Sequence, residues 1–272
     1  MSLRGHSIWV VGAGFLGTVL AEACRAEGAH VLTIDPHAVA NLRGSAADEG
    51  VLRHALERLV PDIVFCCTAT HGGTAEDYRR AYLEPAQNFN RVLKGTRVVF
   101  CSSTSVYAGR NGETVNEDSP AAAETERAQI LLEAEAEVLR GGGVVARLVP
   151  LYGPERCELV RRFMLGLPGL PGVDTRVLNY LHVEDAADAL LLLGTQPWLQ
   201  DGVFNVCGES FEKKDIYARL KAIFGQDAEP ASSEPSVRGV SDMRVDCSRL
   251  VALGWEPICS VEELAREWKG ES

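Results

Sequence analysis

Apolar and polar positions alternate along the first 150 residues in two distinct rhythms. Short, nearly continuous apolar runs, "SIWVVG", "HVLTID", "DIVFCC", "RVVFCS" and "GVVARLVPLYG", have the length and β-branched content of buried strands. Between them lie longer segments with helical spacing at 15–27, 51–59, 75–94 and 126–140. In the last of these, Ala128, Leu132, Ala136 and Leu139 are spaced as a buried stripe, with glutamates on the remaining faces. Strands without internal polar alternation, joined by helices, predict a parallel sheet covered on both faces. The fold class is therefore α/β, a Rossmann-type doubly wound sheet.

Beyond Pro150 the rhythm loosens. "LGLPGLPGVD" reads as a loop, "VLNYLHVEDAADALLLL" as strand, cap and helix, and "GVFNVCG" as a further core strand. Residues 209–234 are expected to form part of a small cap. The division expected is a dinucleotide-binding core over 1–150 and a mixed segment over 151–272. That second segment returns strands to the core and forms a small substrate-binding lobe.

Composition narrows the choice of partner. A formal charge of -11 over 272 residues argues against a nucleic-acid or anionic-membrane surface. The apolar runs are far too short to span a bilayer, so a cytoplasmic protein with a small-molecule substrate is expected. None of the eight cysteines forms a Cys-x-x-Cys pair, and several sit within apolar runs, so no metal site or disulfide is read from them.

Two stretches carry candidate chemistry. In "VVGAGFLG", Gly12, Gly14 and Gly17 follow a strand and open a helix. There they allow a tight turn, close approach of a pyrophosphate to the backbone, and close helix–strand packing. Phe15 and Leu16 complete the loop, Thr68 ends the third strand, and Asp35 closes the second strand where a ribose would lie. A carboxylate at that position accepts ribose hydroxyls and repels a 2′-phosphate, which favours NAD over NADP as the cofactor. The second stretch, "FCSSTSVYAG", puts Ser102, Ser103, Thr104, Ser105 and Tyr107 together at the end of the fourth strand. Such a cluster is either one edge of an active site or an ordinary polar turn.

The order of the glycine loop, "SSTSVY", "ARLVPLYGPE", "LHVEDAADAL", "GVFNVCG" and "DCSRLVALGWEP" resembles that of the extended short-chain dehydrogenases/reductases, the NAD-dependent epimerase/dehydratase family. The resemblance implies NAD-dependent oxidoreductase, epimerase or dehydratase chemistry on a small polar metabolite, and a possible homodimer. It places Ser103 at the family's catalytic serine/threonine position. It also implies a catalytic tyrosine and lysine, eight and four residues before a glutamate on the next helix. With Glu133 as that glutamate, Thr125 and Gln129 stand in their places. Without a cation beside it, even a phenol could not act as base at neutral pH, so the usual mechanism does not transfer. These departures resemble the atypical members of the family. So does Ser45, at a position where an aspartate often reaches the adenine amine.

Replacement groups are open to two readings each. Tyr107 is either a catalytic phenol or a support for its loop. His71, after the third strand, is either a proton carrier or a solvated loop side chain. Arg147, within an apolar strand, either binds substrate or makes a buried ion pair. Tyr152 and Arg156 follow the fifth strand, where substrate would enter. His182 reads as a structural link between sheet and helix. A nucleotide-binding sensor or assembly subunit without turnover is the alternative to an enzyme.

Overall fold

The computed structural model describes residues 3–70, 72–109, 111–170, 173–196, 199, 202–225 and 242–270. Twelve strands among them are β1 Ser7–Val11, β2 His30–Asp35, β3 Leu42–Arg43, β4 Ile63–Cys66, β5 Arg97–Ser103, β6 Glu113–Val115, β7 Val144–Leu148, β8 Leu151–Tyr152, β9 Val177–His182, β10 Val203–Val206, β11 Glu209–Glu212 and β12 Met243–Val245. The α-helices are α1 Phe15–Ala26, α2 Glu49–Arg58, α3 Ala75–Tyr78, α4 Glu84–Val92, α5 Glu126–Arg140, α6 Glu158–Met164, α7 Val183–Thr195, α8 Lys213–Phe224, α9 Ser248–Val251 and α10 Val261–Lys269.

Seven strands form one parallel sheet in the order β10-β7-β5-β4-β1-β2-β3. Successive side chains of each strand point to opposite faces, and here both faces are dry. Ile8, Val10, Phe65 and Val99 join one apolar cluster, which α1 and α7 cover through Leu20, Cys24, Ala186 and Leu190. Trp9, Val64, Phe100 and Val145 join the other, under α2, α4 and α5 through Leu52, Ala86, Phe89 and Ala134. That two-sided burial is why the strand runs lack polar alternation. Strand order reverses between β1 and β4, so a crevice opens beyond their carboxyl ends.

The segment after β7 leaves this sheet. β8 pairs in parallel with β9, and β9 pairs antiparallel with β11, in a separate three-stranded sheet. Phe163, Ile216, Leu220, Val261 and Leu264 from α6, α8 and α10 pack beside it as a third core. β10 then returns to the main sheet beside β7. No helix among the described residues is long and apolar enough to cross a membrane.

Three local expectations change. The expected helix 75–94 is divided: a π-helical turn, Arg79–Leu83, separates α3 from α4. The run "GVVARLVPLYG" is not one strand, because the chain turns at Val149–Pro150 into β8. In α5 the buried stripe is Ala128, Leu131, Ala134 and Val138, whereas Ala136 is exposed. A glutamate, Glu135, lies within that buried face with 3% exposure. Residues 226–234 of the expected cap lie outside the described residues.

Candidate functional site

A cleft of about 1000 Å³ lies along the carboxyl ends of β1, β2, β4 and β5. Gly12 closes β1 at φ +91°, and a Cβ there would stand 2.7 Å from the Cys67–Thr68 backbone. The turn is therefore closed to other residues on both conformational and steric grounds. α1 begins at Phe15 with Gly14 as its N-cap and no side-chain capping bond, so no side chain competes for the helix start. Gly12, Gly14, Phe15 and Leu16 line the cleft. Gly17 sits one turn in and packs on Gly12, where a Cβ would come within 1.8 Å of the Gly12 carbonyl oxygen.

Asp35 ends β2 and faces the same space. Its carboxylate accepts from the Ala13 N–H at 2.9 Å, the His37 N–H at 2.7 Å and the Ala38 N–H at 2.6 Å. A carboxylate offers about four acceptor positions, so one stays open to a ribose hydroxyl. Arg43 pairs in register with Asp35, but its Nε donates to the Pro36 carbonyl at 3.3 Å and it does not line the cleft. Ser45 lines the cleft beside Ala46, held by Asn88, whose Nδ2 donates to the Ala46 and Ala47 carbonyls at 2.9 Å. Thr68 lines the floor, its hydroxyl donating to the Ala81 carbonyl at 2.6 Å.

The hydroxyl cluster after β5 divides by partner. Ser102 donates to Glu135 at 2.5 Å, Thr104 to the Leu148 carbonyl at 3.4 Å, and Tyr107 to Asn205 at 2.8 Å. Ser103 differs: its oxygen accepts from the Ser105 N–H at 3.1 Å, capping a short turn, and its own proton is uncommitted. Ser103 lines the cleft.

Several sequence candidates sit elsewhere. Tyr107 is buried, does not line the cleft, and accepts from Arg147 Nη1 at 2.9 Å while donating to Asn205. Burial pushes its pKa up, against the opposing pull of Arg147. Arg147 does not line the cleft either. Its Nη2 and Nε donate to Glu135 at 2.6 Å and 3.0 Å in an almost fully buried pair, with the guanidinium over the Tyr107 ring. Burial works against the arginine's charge, but Glu135 more than offsets it and the pKa rises. Tyr152 is 1% exposed, edge-on to Tyr180 and His182, and outside the cleft lining. Burial foremost, then the Glu209 charge, raises its pKa. His182 accepts from the Glu184 N–H at 3.3 Å and so caps α7. The Asp185 carboxylate accepts from Ile258 and Cys259 N–H at 3.0 Å and 3.1 Å and its carbonyl from Trp255 Nε1 at 3.2 Å, fastening "LGWEP" and the residues after it to α7. His71 lies outside the described residues.

The structure adds cleft residues that the sequence did not single out. Tyr82 is brought in by the π-helical turn, and its hydroxyl accepts from the Thr70 N–H at 3.2 Å. π-Helical turns concentrate at functional sites, which was the available signal had the helix break been legible. Arg80 comes from the same turn, and Asp77 from α3 just before it.

Residues 8–207 match the model of the NAD dependent epimerase/dehydratase family. The chain belongs to that family. No curated protein matches it by sequence. Among solved structures, it is similar to the Bordetella bronchiseptica enzyme WbmG in complex with NAD, with TM-score 0.81 and 20% identity over 99% of this chain and 97% of that one. It is also similar to UDP-glucose 4-epimerase of Thermotoga maritima with UDP-glucose, with TM-score 0.79 and 19% identity over 97% and 98%. A third is dTDP-glucose 4,6-dehydratase of Bacillus anthracis in complex with NAD, with TM-score 0.78 and 17% identity over 97% and 95%. At these identities the structures speak for the fold of this epimerase/dehydratase-family chain.

Proposed function

We propose that this epimerase/dehydratase-family chain binds NAD in the cleft and holds a small polar metabolite against Ser103. One observation carries the reading: a single cleft contains the glycine loop and Asp35 at one end and the uncommitted Ser103 hydroxyl at the other. β2 and β5 are separated by β1 and β4, so the two ends stand three strand spacings apart, about 14 Å. An extended dinucleotide crosses such a crevice, with its diphosphate at the start of α1 and its adenosine ribose at Asp35. The Asp35 charge, fixed by three backbone N–H groups, disfavours a 2′-phosphate and thus NADP.

When bound, NAD supplies hydride exchange. The chain's own part is to orient. Ser103 accepts from the Ser105 N–H, which leaves its own proton free for a substrate carbonyl or hydroxyl. No phenol–ammonium pair stands beside it among the described residues. Counted from the glutamate that α5 buries, Glu135 rather than Glu133, the family's tyrosine and lysine positions fall on Arg127 and Leu131. Leu131 is core, and the Arg127 guanidinium lies over the Tyr78 ring. Thr125, the position reached from Glu133, caps α5 through the Ala128 N–H, and Gln129 bonds Glu133. No lysine occurs between Lys94 and Lys213. Proton transfer therefore falls to another cleft group or to water.

That same absence supports a second reading, an NAD-binding sensor or assembly subunit without turnover. Calorimetric titration with NAD, NADH, NADP and NADPH, after stripping any copurified nucleotide, tests what both readings share. Binding of NAD(H) alone supports the cofactor assignment, and no binding by any of the four defeats it. A metabolite screen scored by nicotinamide absorbance then separates enzyme from sensor. Unchanged turnover in Ser103→Ala would remove Ser103 from the mechanism.

A further inference from the structure

Charge along the cleft is unevenly matched. Its charged lining side chains among the described residues are Asp35, Asp77, Arg80 and Arg156. Asp35 is held by three backbone N–H groups, Asp77 makes a capping box with Thr74, and Arg80 lies 3.5 Å from Glu76. Arg156 has no carboxylate partner among the described residues, in a chain whose formal charge is -11.

Its placement is not that of a free surface arginine. The Gly153–Arg156 turn closes on itself through two backbone hydrogen bonds, each 3.0 Å, from Gly153 N–H to the Arg156 carbonyl and back. Within it Glu155 takes φ +59°, a left-handed conformation uncommon outside glycine. The turn delivers the Arg156 guanidinium onto the face of Phe15, 4.6 Å from the ring centroid. Phe15 is the first residue of α1, next to the glycine loop. A guanidinium held over a ring keeps its N–H groups for other partners, and its fork matches phosphate oxygens.

We propose that Arg156 is the counter-cation of a diphosphate bound at the start of α1. The inference rests on the cofactor reading above and names a residue for it. The net-negative protein repels a dianionic ligand, and the α1 start alone contributes only about half a unit charge. Arg156 adds a full one at the same place. Phe15 holds it there by a cation–π contact. The ring it rests on opens α1 beside the glycine loop, which assigns it to the cofactor rather than to an anionic substrate at Ser103.

The test uses the full chain, nucleotide-stripped, with Arg156→Ala and Arg156→Lys. Each is titrated calorimetrically with NAD, ADP and adenosine at two salt concentrations, and melting curves check the fold. Arg156→Ala is expected to weaken NAD and ADP about tenfold, the scale of one charge-assisted bond, and to leave adenosine within about twofold. Its ADP affinity should also fall less steeply with salt than the wild type's, and Arg156→Lys should recover part of the loss. Equal ADP and NAD affinity in wild type and Arg156→Ala overturns the assignment while leaving the cofactor reading intact. An equal loss for adenosine overturns it too, since the diphosphate would then not be what Arg156 contacts. A wild-type chain that binds neither NAD nor ADP overturns the cofactor reading, and this inference with it.

Discussion

The Arg147–Glu135 pair offers the sharpest test of which residues build the fold and which serve the site. Their side chains are 7% and 4% exposed, and the arginine bonds both Glu135 oxygens and Tyr107. Arg147→Leu would leave Glu135 buried with Ser102 as its remaining partner. Glu135→Leu would leave a buried guanidinium facing Tyr107. Removing one member of a buried pair costs about 3–5 kcal/mol, because the survivor's charge is stranded away from water. The double variant Glu135→Leu/Arg147→Leu strands no charge. Tyr107 keeps Asn205, and only the Ser102 hydroxyl loses its partner, a cost of about 1–3 kcal/mol.

Urea unfolding followed by far-ultraviolet circular dichroism measures this cycle. The double variant should be more stable than either single variant, and the pair strongly non-additive. NAD binding should survive in the double variant, since neither charge lines the cleft. Single-variant losses below about 1 kcal/mol, or simple additivity, would refute the stranded-charge argument. Intact stability with lost NAD binding would return Arg147 to the site.

Other outcomes follow from the same geometry. Gly17→Ala pushes a Cβ into the Gly12 carbonyl, so α1 must shift. NAD affinity should fall at least about tenfold, with a loss of about 1–3 kcal/mol in stability, read by calorimetry and urea unfolding. Asp35→Asn keeps the shape but removes the charge. Competition titration should show weaker NAD binding and a narrower gap between NAD and NADP. Burial pushes the Cys24, Cys66 and Cys207 thiols up to about 12 from 9.0, which makes the folded state favour their protonated form. Their contribution is complete below the unfolded value and is lost as pH rises from about 9 toward 12, so urea midpoints should hold to pH 8.5 and fall above it.

Local signals made the framework legible, and distant partners hid the rest. Runs such as "SIWVV" lie between two helical layers, so their lack of alternation was itself the mark of a parallel sheet. The glycine loop was equally plain, because tight turns and close packing exclude most other residues. In α5, by contrast, periodicity chose Ala136 for the core and left Glu135 to solvent, the ordinary place for a glutamate. What reverses that choice is Arg147, 12 residues on and one strand away. The family count, taken from Glu133, sets Thr125 and Gln129 at the tyrosine and lysine positions, and starting it from the buried Glu135 would set Arg127 and Leu131 there instead. The π-helical turn that admits Tyr82 has no comparable mark in the sequence.

The hydroxyl run after β5 shows the same limit at the site. Five side chains of like chemistry stand within six positions, and apart from the family resemblance that points to Ser103 the sequence gives no physical ground for choosing among them. The choice is made by acceptors 33, 44 and 98 residues away: Glu135 for Ser102, Leu148 for Thr104, Asn205 for Tyr107. Each removes one hydroxyl proton from chemistry. Ser105 is exposed, and of these five hydroxyls Ser103 combines a cleft position with an uncommitted proton. A reactive hydroxyl is here defined by what its neighbours are already doing, and that is a property of the fold.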